Sequence, residues 1–168
     1  MANTYTLISS VTVGGTSVAT MAFTSIPQTY TDLKVVISAR NDGSPPGNLL
    51  IGFNSSTANF TNKFIQGDGA TVVSNNVAQM IGDMDGSGET ANTFNNVEVY
   101  IPNYTSSNYK SFSSDSVNEN NAATAYQMLT ANLWSDTSAI TSIQITNRTS
   151  PRLFVQYSTA HLYGISNA

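Results

Sequence analysis

Residues 23–42, FTSIPQTYTDLKVVISARND, decide the fold class of this chain. On one side of an extended chain this stretch places only apolar residues: Leu33, Val35, Ile37 and Ala39. The other side is polar apart from Val36: Lys34, Ser38 and Arg40. A period of two predicts a strand with one buried face. Pro27 fixes an extended entry to the strand, and the turn-forming residues 41–47, NDGSPPG, end it.

The rest of the chain repeats this plan of short β-favouring segments between polar turns. The predicted strands cover residues 5–13, 17–24, 31–40, 48–54, 61–66, 70–74, 77–82, 94–101, 109–117, 126–135, 140–147 and 153–165. We expect the first two to pair as a hairpin, because only a short glycine turn separates them. Residues 83–92 are expected to form a loop, and residues 119–124 one helical turn at most.

Short strands at this spacing indicate an all-β protein, a two-sheet antiparallel β-sandwich of about ten strands. No fixed repeat period is present, so a solenoid or propeller is not expected. No change of composition marks a linker, and residues 1–168 are interpreted as one domain.

The composition supports the β-rich interpretation and narrows the function classes. Ser (22), Thr (21) and Asn (19) make up over a third of the chain, whereas charged residues are 10%. With six Lys+Arg and a net charge of −4, there is no basic patch, and nucleic acid is not expected as a partner. No apolar run predicts a membrane span, and the start MANTYTLISS does not resemble a signal peptide. Cysteine is absent, which excludes disulfides and fits folding in a reducing cytoplasm.

The loop DMDGSGE contains the one metal candidate in the sequence, because its oxygen-bearing residues alternate: Asp83, Asp85, Ser87 and Glu89. Calcium prefers such oxygen ligands. The twelfth position from Asp83 is Phe94, where an EF-hand needs a bidentate glutamate, so the EF-hand motif fails. Asp83, Asp85 and Glu89 therefore predict a calcium site of another kind, against the alternative of a solvated loop. No other cofactor is expected, since Gly86-Ser87-Gly88 lacks the lysine of a phosphate-binding loop.

Two enzyme interpretations are weaker than their alternatives. His161 is the single histidine, and no G-x-S-x-G elbow supplies a serine nucleophile beside it. It is better interpreted as a histidine on a sheet face or an interface. A glycosidase would need two carboxylates across a groove, and ten acidic residues give many such pairs by chance. We therefore expect no enzyme.

Several aromatic side chains could stack on sugar rings: Tyr100, Tyr104, Tyr109, Tyr126 and Trp134. Neighbouring Asn and Ser side chains could hydrogen-bond sugar hydroxyls. The alternative is that most of these aromatics pack within the sandwich or at a subunit interface, since strands are normally rich in them.

The segments YTLISSVTV, FTSIPQTYTDLKVVISAR and HLYGISNA together resemble a group of small virion proteins of tailed bacteriophages of aquatic bacteria. Members of that group share an L-I-x-S start, an F-x-x-I-P-x-x-Y-x-D-L block and a terminal L-Y-G-I. The resemblance covers both ends of the chain, but not residues 55–125. It implies a jelly-roll-like β-sandwich on the virion surface, with no catalytic or binding residues to transfer.

This resemblance implies a structural role in the virion, as a capsid decoration protein that stabilises the shell by contacts with the major capsid protein. The chain would act in a symmetric array, as a homo-oligomer with a trimer favoured. The alternative is a tail or fibre module that binds host-surface glycan. A depolymerase, the third hypothesis, requires two carboxylates about 5–10 Å apart in a groove.

Overall fold

A computed structural model describes residues 4–121, 125–149 and 151–166 of the chain. Within these ranges the secondary structure is entirely β. The strands are β1 (Tyr5–Thr12), β2 (Thr20–Phe23), β3 (Asp32–Ser38), β4 (Gly47–Phe53), β5 (Phe60–Gly67), β6 (Val72–Asn75), β7 (Met80–Met84), β8 (Asn96–Ile101), β9 (Lys110–Val117), β10 (Gln127–Trp134), β11 (Ile143–Asn147) and β12 (Thr159–Ile165). Each strand overlaps one of the predicted segments, so the estimate of about ten strands was slightly low.

The strands form two antiparallel sheets that pack as a β-sandwich, which confirms the predicted fold class. The large sheet has eight strands in the order β1-β12-β3-β8-β9-β10-β5-β6, and the small sheet has four in the order β2-β11-β4-β7. Each strand from β1 to β5 lies in the other sheet from its predecessor. The face of each sheet that meets the other sheet is called inner below, and the opposite face outer.

The core lies between the inner faces, and the stretch that decided the fold class is at its centre. Leu33, Val35 and Ile37 of β3 are fully buried, as their period of two predicted. Opposite them, β4 contributes Leu49 and Ile51, which are also fully buried. Burying an aliphatic side chain of this size stabilises a fold by about 1.5–3 kcal/mol, so each of these residues contributes substantially to the core.

The predicted hairpin between the first two strands was wrong. β1 pairs with β12 in the large sheet, whereas β2 pairs with β11 in the small sheet. The segment between them crosses from one sheet to the other. Met21 and Phe23 of β2 are buried, so the small sheet uses the same alternation that suggested a hairpin. A short gap shows that two strands are close in sequence, but not that they share hydrogen bonds.

The last predicted strand was too long at its start. Only Thr159–Ile165 forms β12, which lies between β1 and β3. Before it, Phe154 makes isolated bridges with Val18 and Asn41, and Tyr157 has a φ of 73°. A left-handed residue interrupts a strand, because its backbone turns out of the ladder. The helical turn predicted at 119–124 is not present in residues 119–121, and its remainder lies outside the described residues.

One end of the core is an aromatic cluster in which Trp134 contacts Phe53 and Phe60, and Phe112 contacts the same two phenylalanines. The indole is 1% exposed, and its ring centroid lies 5.4 Å from that of Phe53. The Lys110 ammonium lies 5.6 Å from the indole centroid, and this lysine is also 1% exposed. Such a geometry adds a cation–π attraction to ordinary packing.

Among the described residues, Lys110 forms no ion pair in its buried position. Its ammonium donates hydrogen bonds to the carbonyl oxygens of Ser106 and Ser138, both at 2.7 Å, and more weakly to that of Asp136 at 3.4 Å. Burial lowers the pKa of Lys110, and the charge of Asp136 partly opposes that shift. The lysine therefore joins two loops to the end of the sandwich through their main chains.

Candidate functional site

The three residues predicted to bind calcium each have hydrogen-bond partners among the described residues. Asp83 lies in β7, not in the predicted loop, and is 6% exposed. Its two carboxylate oxygens accept hydrogen bonds from the amides of Asn48 and Gln66. Burial raises the pKa of Asp83, and the two amide hydrogen bonds oppose that shift. This carboxylate is therefore held by side-chain amides that connect the two sheets.

The other two predicted calcium residues have their own partners. Asp85 is fully buried, and its Oδ1 accepts a 2.8 Å hydrogen bond from Asn120, whereas its Oδ2 has no partner among the described residues. Glu89 accepts a 2.6 Å hydrogen bond from the Gly86 N–H of its own turn. In the described part of the chain no three acidic or histidine side chains are grouped to hold a metal ion. The calcium site thus stays a prediction from spacing alone.

His161 lies in β12, half-buried on the outer face of the large sheet. Its register neighbours are Ser10 in β1 and Val36 in β3. A catalytic triad needs an acidic side chain beside the imidazole, and neither neighbouring position provides one. The interpretation of His161 as a sheet-face histidine agrees with this position.

The five aromatic candidates separate into core and surface residues. Trp134 and Tyr104 are buried, as the packing alternative expected. Tyr126 is half-buried, whereas Tyr100 and Tyr109 are exposed. Tyr100 lies in a depression of the surface, and Tyr126 lines two smaller ones. The tryptophan is buried and offers no ring face to a ligand.

The depression at Tyr100, called the tyrosine groove below, lies on the outer face of the large sheet and has a volume of about 460 Å³. Side chains from five strands line it, chiefly Tyr5, Lys34, Glu98, Tyr100, Ser113, Asp115 and Leu129. Strand order explains the assembly, since β3, β8, β9 and β10 are consecutive neighbours in the sheet. Residues far apart in sequence therefore meet on one face.

Two rows of directly opposed residues form the floor of the tyrosine groove. In one row Tyr100 stands between Lys34 and Ser113. In the other Glu98 is opposite Asp115. Carboxylates directly opposite on neighbouring strands repel each other. Here Lys34 forms a 2.7 Å ion pair with Glu98, which offsets part of that repulsion.

The position of the Tyr100 ring is fixed by a hydrogen bond beneath the groove. Its hydroxyl donates to Asp32 at 2.8 Å, and the other oxygen of Asp32 accepts the Asn103 N–H at 2.8 Å. The hydrogen bond to Asp32 raises the pKa of Tyr100. A ring held in this way loses little conformational freedom when a ligand binds.

These side chains give the groove a defined chemistry. Tyr5 and Tyr100 are 55% and 43% exposed, and they offer amphipathic rings to a ligand. Lys34 donates hydrogen bonds, whereas Glu98 and Asp115 accept them. Glu98 and Asp115 are two carboxylates that face each other across neighbouring strands. The groove is suited to a neutral ligand rich in hydroxyl groups.

A second exposed surface lies beside the groove, at the β6 edge of the large sheet. We call it the apolar shoulder and define it by Ile65, Val72 and Leu129, which are 57%, 74% and 55% exposed. Ile65 is directly opposite Leu129, and a shallow depression of about 430 Å³ follows this pair of strands. Large apolar side chains grouped on an outer sheet face indicate a contact surface.

No sequence motif pointed to either surface. The signal that was present is the alternation of β3 and β8, which puts Lys34, Glu98 and Tyr100 on the face opposite the core. What the sequence did not contain is the strand order that brings them beside Tyr5 and Leu129.

Comparisons with family models, curated proteins and solved structures found no match to this chain. The described residues include no helix long and apolar enough to cross a membrane. Function therefore has to be inferred from the chain's own surfaces and from the family resemblance of its two ends.

Proposed function

We propose that this chain is a structural component of a bacteriophage virion, a capsid decoration protein that binds the major capsid protein through the outer face of its large sheet. The apolar shoulder carries the proposal. Ile65, Val72 and Leu129 are each more than half exposed in the isolated chain. Removing apolar surface from water contributes about 25 cal/mol of favourable free energy per Å². Burial of these three side chains would therefore stabilise a complex with a protein partner on this face.

The surroundings of the apolar shoulder also fit a protein interface. Such interfaces combine an apolar centre with a polar rim and few charges at the centre. Around Ile65 and Leu129 the outer face carries Ser74 and Ala131, and the charged neighbours are Lys63, which is opposite Ala131, and Asp115, which is opposite Leu129. The resemblance of both chain ends to tailed-phage virion proteins supplies the class of partner.

The first experiment is to count the copies of this chain in purified particles by quantitative mass spectrometry against the major shell protein. A ratio near one, or one per few shell subunits, supports a decoration protein. About a dozen copies per particle would move the protein to the tail or fibre. Absence from the particle would refute the virion role.

A binding experiment then tests the surface itself. Purified chain is added to particles that lack it, and bound protein is measured after sedimentation. We expect Leu129→Asp to reduce binding at least tenfold, because it buries an unpaired charge in the contact. Leu7→Asp is the matched control, since Leu7 is 53% exposed on the far edge strand of the same sheet. An equal loss of particle binding in both variants would show that the apolar shoulder is not part of the contact.

The tyrosine groove favours a second function, the binding of host-surface saccharide by a tail or fibre component. Sugar rings stack on exposed tyrosine faces, and their hydroxyls need both donors and acceptors. Tyr100 provides the ring, Lys34 the donor and Asp115 an acceptor within one groove. Its volume of about 460 Å³ lies within the usual range for small-ligand sites.

A glycan array followed by calorimetry on any bound saccharide tests this function. We expect Tyr100→Ala and Tyr5→Ala each to weaken binding at least tenfold, whereas Tyr109→Ala, an exposed tyrosine outside the groove, leaves it unchanged. Saturable binding that none of these variants affects would place the ligand elsewhere. If the protein releases reducing ends from the saccharide and Asp115→Asn abolishes that release, the groove hydrolyses its ligand and does not only bind it.

A further inference from the structure

The edge strand β6 is short, which is one protection against further pairing, but it lacks the other features that normally prevent edge strands from pairing. Its four residues, Val72 to Asn75, are all exposed, and none is charged or a proline. Its pairing with β5 is regular. At the other edge of the same sheet, β1 has a register shift between Leu7 and Ser9. Bulges, prolines and charges protect edges from further pairing, so β6 is the open edge of this sheet.

The hairpin that presents β6 is held by its own turn. The Asp68 carboxylate accepts hydrogen bonds from the N–H groups of Ala70 and Thr71, at 2.9 Å and 2.6 Å, and from the Thr71 hydroxyl at 3.0 Å. The Asp68 N–H donates to the Thr71 carbonyl at 3.2 Å. Residues 68 and 71 are thus a hydrogen-bonded pair at the start of the ladder.

Because hydrogen-bonded pairs alternate along an antiparallel ladder, the turn decides which groups of β6 are free. The next hydrogen-bonded pair is Val73 with Gln66, so the main-chain groups of Val73 point toward β5. The N–H and C=O groups of Val72 and Ser74 point the other way, to the open edge. A partner strand would find its donors and acceptors at these two residues.

We propose that β6 of a second copy of this chain pairs with this edge, antiparallel, about a two-fold axis perpendicular to the sheet. In the register centred on Val73, Val72 of one copy stands opposite Ser74 of the other. The outward N–H and C=O groups of Val72 in one copy then form hydrogen bonds with the outward C=O and N–H groups of Ser74 in the other copy. The large sheets of the two copies become one continuous sheet with a common inner side.

The occupant is a second copy because the edge is complementary to itself. The Val73-centred register places both Val73 side chains opposite each other on the inner side, where each is 50% exposed in the isolated chain. Neither strand carries a charge, so the copies meet without like-charge contacts across the ladder. The two Asp68 carboxylates lie at opposite ends of the paired strands. A two-fold contact of this kind closes at two copies, so it favours a dimer over the trimer expected from the resemblance.

The contact is short, and weak association is expected in dilute solution. A four-residue strand buries much less surface than a stable interface of about 1,200–2,000 Å². The dimer should therefore form at high micromolar to millimolar concentration. The inference concerns the chain alone and does not rest on the proposed function, so the recombinant protein suffices to test it.

Sedimentation velocity over a hundredfold concentration range is the first measurement, with wild type expected to change from monomer to dimer. Ser74→Pro removes an outward N–H and leaves the β5–β6 ladder intact, since a proline is accepted at an edge position that faces solvent. We expect it to raise the dimer dissociation constant at least tenfold. Val73→Lys, which opposes two like charges in the proposed register, should do the same and serves if the proline variant fails to fold. Ile65→Lys, on the outer face of the same hairpin, is the control and should still dimerise.

Amide hydrogen exchange at low and high protein concentration provides a residue-level test. Protection should rise with concentration at the Val72 and Ser74 amides, whereas the Val73 amide is already protected by β5. A chain that stays monomeric, that forms trimers, or that dimerises equally well with Ser74→Pro would overturn the inference. Loss of dimerisation with Ile65→Lys alone would also overturn it, because the contact would then run through the sheet face.

Discussion

Replacing Lys110 by methionine removes the buried ammonium while keeping most of the side-chain volume. In the folded protein this lysine is 1% exposed and donates to the carbonyls of Ser106 and Ser138 at 2.7 Å. Methionine can pack against Trp134 in the same space, so the aromatic cluster keeps its neighbour. What disappears is the donor that joins these two loops to the sandwich.

The expected loss follows from these two hydrogen bonds. A hydrogen bond from a charged donor contributes about 1.5–3 kcal/mol, and its removal leaves the carbonyl acceptors without that partner. Against this, the variant no longer buries a charge, and that desolvation cost is the reason the pKa of Lys110 is lowered. We expect a net loss of about 2–4 kcal/mol in the free energy of unfolding. For a domain of this size that corresponds to roughly 5–15 °C in melting temperature.

Urea denaturation followed by tryptophan fluorescence is the assay, since the single tryptophan lies beside the substituted residue. Lys63→Met is the matched control, because Lys63 is exposed on the outer face and should change stability by less than about 0.5 kcal/mol. If Lys110→Met is as stable as wild type, the two loop carbonyls do not depend on the ammonium and the reasoning fails.

A comparison of wild type with Lys110→Met at different pH values tests the lowered pKa of Lys110. The unfolded chain binds the Lys110 proton more tightly than the folded chain. Between the lowered pKa of Lys110 in the folded state and the ordinary lysine value of 10.5, stability from this group therefore rises with pH. The stability of wild type relative to Lys110→Met should increase on going into that alkaline range. A difference that falls there would show that the folded state favours the charged amine.

Three further predictions concern backbone contact, buried charge and the core. Gly86→Ala should destabilise the fold by about 2 kcal/mol or more, because a Cβ there would lie 2.0 Å from the Gly43 carbonyl oxygen. Thermal melts measure the loss, and Gly14→Ala is the control, since no atom lies within 4 Å of its added Cβ. Burial raises the pKa of Asp83, so the contribution of this carboxyl group to stability falls as the pH rises from 3.8 through the pKa of Asp83 in the folded state. Urea titrations over that pH range should therefore show wild type losing stability relative to Asp83→Asn. Ile37→Asp places an unpaired charge at a fully buried position, and circular dichroism should show an unfolded chain; a soluble variant that melts cooperatively would contradict the core assignment.

The sequence was sufficient to predict the fold class, because a strand with one buried face shows a local alternation of apolar and polar residues. The alternation from Leu33 to Ala39 shows which side of that strand faces the core, and the structure confirms that side. Strand pairing leaves no such local pattern. Nothing near Thr20 shows that β2 belongs with β11, because the choice depends on surfaces more than a hundred residues away.

The candidate sites were less accessible from the sequence for the same reason. Tyr100 was one of five aromatic stacking candidates, but its neighbours Lys34 and Asp115 come from other strands. Lys110 was missed altogether, since a lysine at the start of a strand is normally on the surface. Its burial depends on carbonyls from two loops, which only the tertiary structure brings together.

The position of β12 has a consequence for how the chain folds during synthesis. β12, the last strand described, lies between β1 and β3, two of the first three. While a ribosome is still producing residues 159–165, β1 has no partner in its sheet, and one edge of β3 stays open. Sequence-distant pairing of this kind slows folding and leaves strand edges exposed in the meantime. The nascent chain should therefore need protection by chaperones until β12 has been made, and a fragment that ends before Thr159 should aggregate.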